Sequence, residues 1–485
     1  MPLNIKKDSK LKSGINLIIV QFCMFFIPLL AIPYIVGRVG IEKYGAFIFF
    51  QAVMGLLSVI GSYGFIQTGV RDVANARTLR KLNYEYALIF YSKFFALLVA
   101  IFLGLILFLF DKFNSDKQLY AYSFLFLVVN FLDISFVYQG IEKLKDYVIA
   151  NLVGNIFYLL SLFVFITDKS DYVYLPLALA IPRIIASLYS IIALYFRFKI
   201  APAFFSFDGI ARKIKEGFSF FMTNIFIIIY TRATVVLLGI ITNNTYVGYY
   251  SIADQLVSAY SMIQGKVSTV YQPQIASAFR NNFSGGVSKA KENMLAISII
   301  AIAGFIFTQF FAYDMLFFLF KENAIHSEVI FKILSLNLIS IHLSSIFGIQ
   351  ILLALHKDKD LLKPSIYAAF LNLSMGSVLV FLFKHIGAAV SVTLIEIIIF
   401  LYFYAKVKSY GIEVLDRRLI QKLITYTFSL VFLLAFLKFL YSSIDINIYI
   451  KFPAIVSLYG LSILVILKLL NIVDFKNRKI IVGHG

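Results

Sequence analysis

Three cations standing inside apolar runs carry the most chemistry in this chain: Arg232, Arg183 and Lys266. A charge held at the centre of a bilayer costs about 2.5–3.5 kcal/mol on insertion scales, so one that is kept there faces protein or water. Arg232 lies about 3 Å along the axis from the midpoint of the run 218–241. Arg183 follows Pro182 near the middle of 174–195, and Lys266 is one or two turns from one end of 250–271. Guanidinium groups bind diphosphate oxygens bidentately, so a cavity lined by such residues suits an anionic substrate. A structural alternative for Arg232 is an ion pair with a carboxylate such as Glu396. Asp133 and Glu396 are the deep acids, suited to coupling H⁺ or Na⁺. Asp254, twelve residues before Lys266, is too far along one helix to pair with it and belongs near the outer mouth. Lys93, Lys332, Lys438 and Lys468 stand near run ends, where lysines snorkel to the interface. Gln264, like Asn130 and Gln255, is suited either to hydrogen-bonding sugars or to bridging helices.

No catalytic signature accompanies these charges. The chain has no GxxxxGK[ST] nucleotide loop, no HExxH, and a single cysteine, Cys23; its five histidines lack ligand spacing. No cofactor and no metal are expected, and transport without a nucleotide site would run on gradients or mass action. Of 485 residues, 61% are hydrophobic and 14% charged, against about 25% charged in soluble chains. The formal charge of +19 is explained by basic loops on one membrane face, not by a nucleic-acid partner, because no basic helix stands apart from the apolar runs.

The elements that must position these residues are transmembrane helices. The sequence predicts an all-α polytopic membrane protein of about fourteen spans, each near the roughly 20 residues a bilayer requires. The first falls at about 14–36, after the basic stretch KKDSKLK, and the last at about 452–469. With alternating sidedness, 29 of the 44 Lys and Arg residues fall in segments assigned to the cytoplasm, 8 on the other side and 7 within spans. That asymmetry sets the orientation, with both termini cytoplasmic. The organisation predicted is an N-lobe at 1–196, a cytoplasmic linker at 197–217, a C-lobe at 218–405, and a terminal segment at 406–485 with two further helices. The linker portion AFFSFDGIARKIKEG is read as either a surface amphipathic helix or a plain connection.

The halves echo one another. GRVGIEKYGAFIFFQAV links two helices in the first half, and GIITNNTYVGYYSIADQL does so about 200 residues later. Gly37 and Gly239 are expected to end a helix, and Gly45 and Gly248 to open the next. Both halves start on the same side, so they form a parallel repeat about an axis along the membrane normal, a design in which substrate sits between the halves.

The opening INLIIVQFCMFFIPLLAIPYIVGRVGIEKYGAFIFFQAV, followed by SYGFIQTGVRDVA, VYQGIEKLK, TYVGYYSIADQL, VYQPQIAS, FGIQILLALHKDKDLLK and KHIGAAVSVTLIE, resembles the O-antigen and polysaccharide flippases (Wzx type) of the multidrug and polysaccharide exporter superfamily. The similarity runs from about residue 14 to 405. It implies a multi-pass protein of the bacterial inner membrane that moves an undecaprenyl-diphosphate-linked oligosaccharide, an O-antigen or capsule repeat unit, by alternating access of a cationic central cavity. Membrane lipids, a polysaccharide polymerase and a chain-length regulator are the further partners implied. Gly37, Gly45, Arg71 and Gly248 match the family motifs, with Arg71 placed at the cytoplasmic mouth, whereas Arg232 is assigned from its own position. Two alternatives stand beside this one: a cation-coupled multidrug exporter of the same superfamily, and a membrane-embedded glycosyl-transferring enzyme. The short outer loops speak against the enzyme.

Overall fold

The computed structural model describes residues 27–480 apart from 204, 445, 471 and 475–478. Cys23, the basic N-terminal stretch, the start of the first predicted span and His484 lie outside the described residues. Ten described helical stretches are long and apolar enough to cross a membrane. Helix is the form such sequences must take, since a chain in hydrocarbon has to satisfy every N–H and C=O within itself. The all-helical, polytopic class therefore stands. Two of the ten stretches, Phe283–Leu352 and Lys363–Ser409, contain 70 and 47 residues and so are far longer than one crossing. Each doubles back at a left-handed residue, Lys321 (φ 55°) and Lys384 (φ 53°) respectively. The split into fourteen crossings, which also takes in the 38-residue helix Asn244–Asn281, stays a proposal.

By its contacts the chain forms two compact units, Met1–Gly248 and Tyr249–Gly485. In the first, α1 (Ile27–Val39) leads into α2 (Ile41–Ser62), α3 (Phe65–Ala74) and α4 (Leu79–Leu107). After the short α5 (Asp111–Asn114), the span predicted at about 119–138 is broken into α6 (Lys117–Ser123), α7 (Leu125–Phe131) and α8 (Ser135–Gly140). Then come α9 (Leu144–Phe165), α10 (Leu175–Phe198), α11 (Phe207–Ile241) and the first turn of α12 (Asn244–Asn281). A core of Phe65, Val73, Tyr86, Ile89, Phe136 and Leu194 ties α3, α4, α8 and α10 together.

The segment expected as a linker is helical from Phe207 onward and continuous with the seventh span, so α11 is a single helix of 35 residues. Ser206 caps it, its hydroxyl accepting from the Gly209 N–H at 3.1 Å. α11 packs along α2 and touches α3 and α4. The predicted lobe boundaries describe correspondence between repeats and remain a proposal.

The second unit contains the rest of α12, then α13 (Phe283–Phe320), α14 (Glu328–Ser335), α15 (Asn337–Ser345) and a π-helical turn at Ile346–Leu352. It continues through α16 (Asp358–Leu371), a second π-turn at Asn372–Gly376, α17 (Ser377–Ser409), and the terminal pair α18 (Arg417–Ser443) and α19 (Ile448–Leu469). Ion pairs fasten α18 to this unit near both ends: Lys438 to Asp314 at 2.5 Å, and Lys291 to Asp416 at 2.7 Å.

The two hairpins of the repeat meet within the first unit. A β-carbon on Gly45 would stand 1.8 Å from the Asn244 carbonyl oxygen, and one on Gly248 would stand 2.5 Å from the Ile41 carbonyl oxygen. The two chains thus touch backbone to backbone, which only glycine permits. The first hairpin turns at Gly40, in the left-handed region (φ 81°), and not at Gly37, which sits inside α1 with open space around it. Gly45→Ala is expected to lower stability by about 1–3 kcal/mol through overpacking, whereas Gly37→Ala should change it by less than about 0.5 kcal/mol. Thermal unfolding of the purified protein in detergent separates the two.

Candidate functional site

The densest cluster of charge lies where α3, α4 and the start of α11 converge. The Lys213 side chain, only 4% exposed, sets its ammonium 2.5 Å from Asp72, 2.8 Å from Glu85 and 3.7 Å from Glu216. Arg71 donates from Nε to Asp72 at 2.9 Å and from Nη2 to Glu216 at 3.3 Å. The arrangement follows from helical spacing: Lys213 and Glu216 are i and i+3 on α11, and so face the same side. Arg71, expected at the cytoplasmic mouth, is 55% exposed but already shared between two carboxylates.

Deeper in the unit, Lys93 does not snorkel. Its side chain is buried, 2% exposed, and its ammonium donates to the Asp133 carbonyl oxygen at 2.6 Å. Asp133 sits at the break between α7 and α8, where the helical ladder lapses. Its carboxylate accepts from the Ser135 N–H and the Tyr147 hydroxyl, both at 2.8 Å. Lys93 and Asp133 together supply bonds that the broken helix has lost. Asp133 therefore has a structural occupation beside the coupling role expected of it.

Arg232 emerges from α11 on the face opposite the residues that pack inward. Ala233, Thr234, Val235 and Leu238 are buried, while Thr231 and Arg232 are exposed. Among the described residues Arg232 has no carboxylate within ion-pair distance. Arg183, half-buried on α10, has the buried Tyr158 as its electrostatic neighbour. The structure brings neither of them into the Lys213 cluster.

In the second unit, Asp254 and Lys266 are half-buried on α12, and Glu396 is buried on α17, each with a polar or charged neighbour. Gln264 acts as a helix bridge, donating to the Leu338 carbonyl at 3.2 Å. It belongs to a polar ladder on one face of α12, at positions i, i+3 and i+7. Ser261 meets His342 Nε2 at 2.8 Å, and Ser268 accepts from Gln350 at 2.7 Å; Gln350 in turn accepts from Asn293. Gln350 stands in the π-turn, the kind of irregularity that concentrates at functional sites. Outside the spans, Tyr410 donates to Asp360 at 2.7 Å and, with Lys406 nearby, holds that carboxyl below its ordinary value. Burial pushes the Asp416 carboxyl up, but the Lys291 ammonium and the Leu419 N–H outweigh it and hold the group low.

Residues 11–279 match the family described as polysaccharide biosynthesis protein, which is more than half of the chain. The chain belongs to this family. An Escherichia coli (strain K12) protein named as a proposed O-antigen transporter is 26% identical over 400 residues, covering 82% of this chain and 96% of its own length. A Shigella dysenteriae protein with the same name is 24% identical over 402 residues, covering 82% and 100%. Among solved structures the fold is similar to that of the lipid II flippase MurJ, with a TM-score of 0.71 at 16% identity over 93% of this chain and 98% of that one. It is also similar to a multidrug resistance MATE family transporter, at 0.61 and 14% identity over 79% and 95%. These proteins are named as transporters and flippases, not as enzymes.

The structure places Arg71 beside Asp72 and Glu216, in one cluster with Lys213 and Glu85, four residues that no sequence motif singles out. The readable signal is the i, i+3 pair of Lys213 and Glu216 in ARKIKEG, a stretch that also suits a surface helix or a plain connection. Lys213→Met would leave Glu85 without its counter-ion and Asp72 with Arg71 alone, and should cost about 3–5 kcal/mol, as breaking a buried pair does. Arg71→Ala, an exposed partner, should cost less than about 1 kcal/mol. Unfolding midpoints of the two variants compared with the parent check the contrast.

Proposed function

We propose that this protein is a flippase for polysaccharide units carried on lipid. The observation that carries the reading is the match along 82% of this chain, and nearly the whole of two relatives, to proteins named as proposed O-antigen transporters. The MurJ-like fold supports it, since that protein too is named as a lipid flippase. The substrate proposed is an undecaprenyl-diphosphate-linked oligosaccharide, taken from the cytoplasmic to the outer face of the bacterial inner membrane for polymerisation, with both chain termini in the cytoplasm.

The chemistry follows from what hydrocarbon forbids. A glycan dragged through lipid would expose many unpaired hydroxyls, each costing several kcal/mol. The sugar therefore passes through a polar path inside the protein while the polyprenyl tail stays in lipid. Arg232 is the residue we place on the diphosphate: it is deep in its span, exposed, and free of a carboxylate partner among the described residues. Arg183 and Lys266 extend the cationic path, and Arg71 stands at its entrance with its two acidic partners. Alternating access moves the path from one face to the other. Asp133, Glu396 and Asp254 are the residues proposed for any ion coupling. The MATE-like fold favours a second reading, cation-coupled export of drugs, in which deletion of the protein would lower drug tolerance.

In a strain lacking its own flippase, Arg232→Ala should reduce surface polysaccharide roughly ten- to a hundredfold, the worth of one charge-assisted hydrogen bond, while Arg232→Lys keeps part of it. Immunoblots of surface polysaccharide give the readout. Full polysaccharide with Arg232→Ala would remove this residue from the mechanism, and altered drug tolerance with polysaccharide unchanged would favour the exporter.

A further inference from the structure

A groove between α9 and α10, with a volume of about 440 Å³, has no part in the transport reading. Its floor is made of small residues, Ala150, Gly154 and Ala186, where the two helices come so close that a β-carbon on Gly154 would lie 3.0 Å from that of Ala186. Its walls are the large apolar side chains Ile149, Val153, Phe157 and Ile185, between 40% and 60% exposed. From Asp146 to Phe157 the lining follows α9 for about 16 Å, at about 1.5 Å per residue, close to half of the roughly 30 Å hydrocarbon core. Such a slot has the length of one leaflet.

One end is polar. Arg197 Nη1 donates to Asp146 Oδ2 at 3.3 Å, and the Arg197 side chain stays 55% exposed, with donors to spare. The flanking stretches 142–146 and 197–199 hold Lys143, Lys145, Arg197 and Lys199 against Glu142 and Asp146. The end of the groove is therefore net positive, and its planar guanidinium is shaped for phosphate.

We infer that this groove holds one acyl chain of an anionic phospholipid, with the phosphate at Arg197. The apolar walls account for the tail, the one-leaflet length for a single fatty chain, and the charge at the end for the head group. An undecaprenyl tail is far longer than the slot, so the occupant is a bilayer lipid and not the transported one. The inference stands independently of the proposed substrate.

The test uses the full chain, purified, stripped of lipid, and exposed to phosphatidylglycerol bearing a photoactivatable acyl chain. Adducts are expected within 146–157 and 182–197. They should fall by about tenfold in Arg197→Gln, which loses the charge-assisted bonds to the head group, and by a similar factor in Val153→Trp, whose ring fills the slot from an exposed wall. Both variants should keep the parent's unfolding midpoint in the absence of lipid. Unlabelled phosphatidylglycerol should compete and phosphatidylcholine should not. Adducts spread evenly over other spans, equal competition by phosphatidylcholine, or stronger labelling of the same peptides by a photoactivatable polyprenyl phosphate would each overturn the inference.

Discussion

The contact on which the first unit depends is made of backbone. At Gly45 and Gly248 two helix hairpins, about 200 residues apart in the chain, lie so close that neither tolerates a side chain. Helix association inside a bilayer has no hydrophobic driving force to draw on, and small residues that let backbones approach supply van der Waals contact in its place. The contact explains why the repeated hairpins read alike: each is the other's packing surface. It also anchors the C-terminal end of α11, whose other end is held by Lys213 among Asp72, Glu85 and Glu216. Between these two anchors α11 carries Arg232 on the face turned away from Ala233, Thr234, Val235 and Leu238.

Charges inside this protein divide by whether a partner is in place. The buried Lys93 and Lys213, and the partly exposed Lys332 and Lys438, are each matched to a carbonyl or carboxylate 2.5 to 2.6 Å away. A buried charge whose bonds are complete holds helices in register and has little left to offer a ligand. Arg232 lacks a carboxylate partner among the described residues, and Arg197 keeps most of its donors open. On this division the first is assigned to a passing diphosphate and the second to a resident phospholipid.

Much of the fold was legible in the sequence, because hydrocarbon leaves the backbone no choice but helix. The run at 174–195 appears as α10, Leu175–Phe198, with shifts of one and three residues at its ends. Where reading failed, the reason was a partner distant in sequence. The break at Asp133 is held by Lys93, forty residues earlier, and no local pattern in FLDISF announces it. Lys93 looked like an end-of-helix lysine because its distance from the run's end was readable and its burial was not. Within the predicted linker at 197–217, the charges of ARKIKEG suit a surface, and Arg212 and Lys215 are exposed; Lys213 instead is buried against Asp72 and Glu85, from helices that sequence alone does not bring alongside. Of the proposed site residues, Arg71 comes from a family motif and Arg232 from its depth in an apolar run, while the ladder from Ser261 to Asn293 required the folded chain.

The central claim is that this chain carries a lipid-linked oligosaccharide from one leaflet to the other. The most direct measurement is in proteoliposomes reconstituted with the purified protein and a fluorescent undecaprenyl-diphosphate-linked oligosaccharide, following how much becomes accessible to a glycan-cleaving enzyme added outside. The account predicts that label loaded on the inner leaflet reaches the enzyme in vesicles containing the protein, and does so more slowly with Arg232→Ala. Label that stays protected, at the same level as in protein-free vesicles, would contradict it.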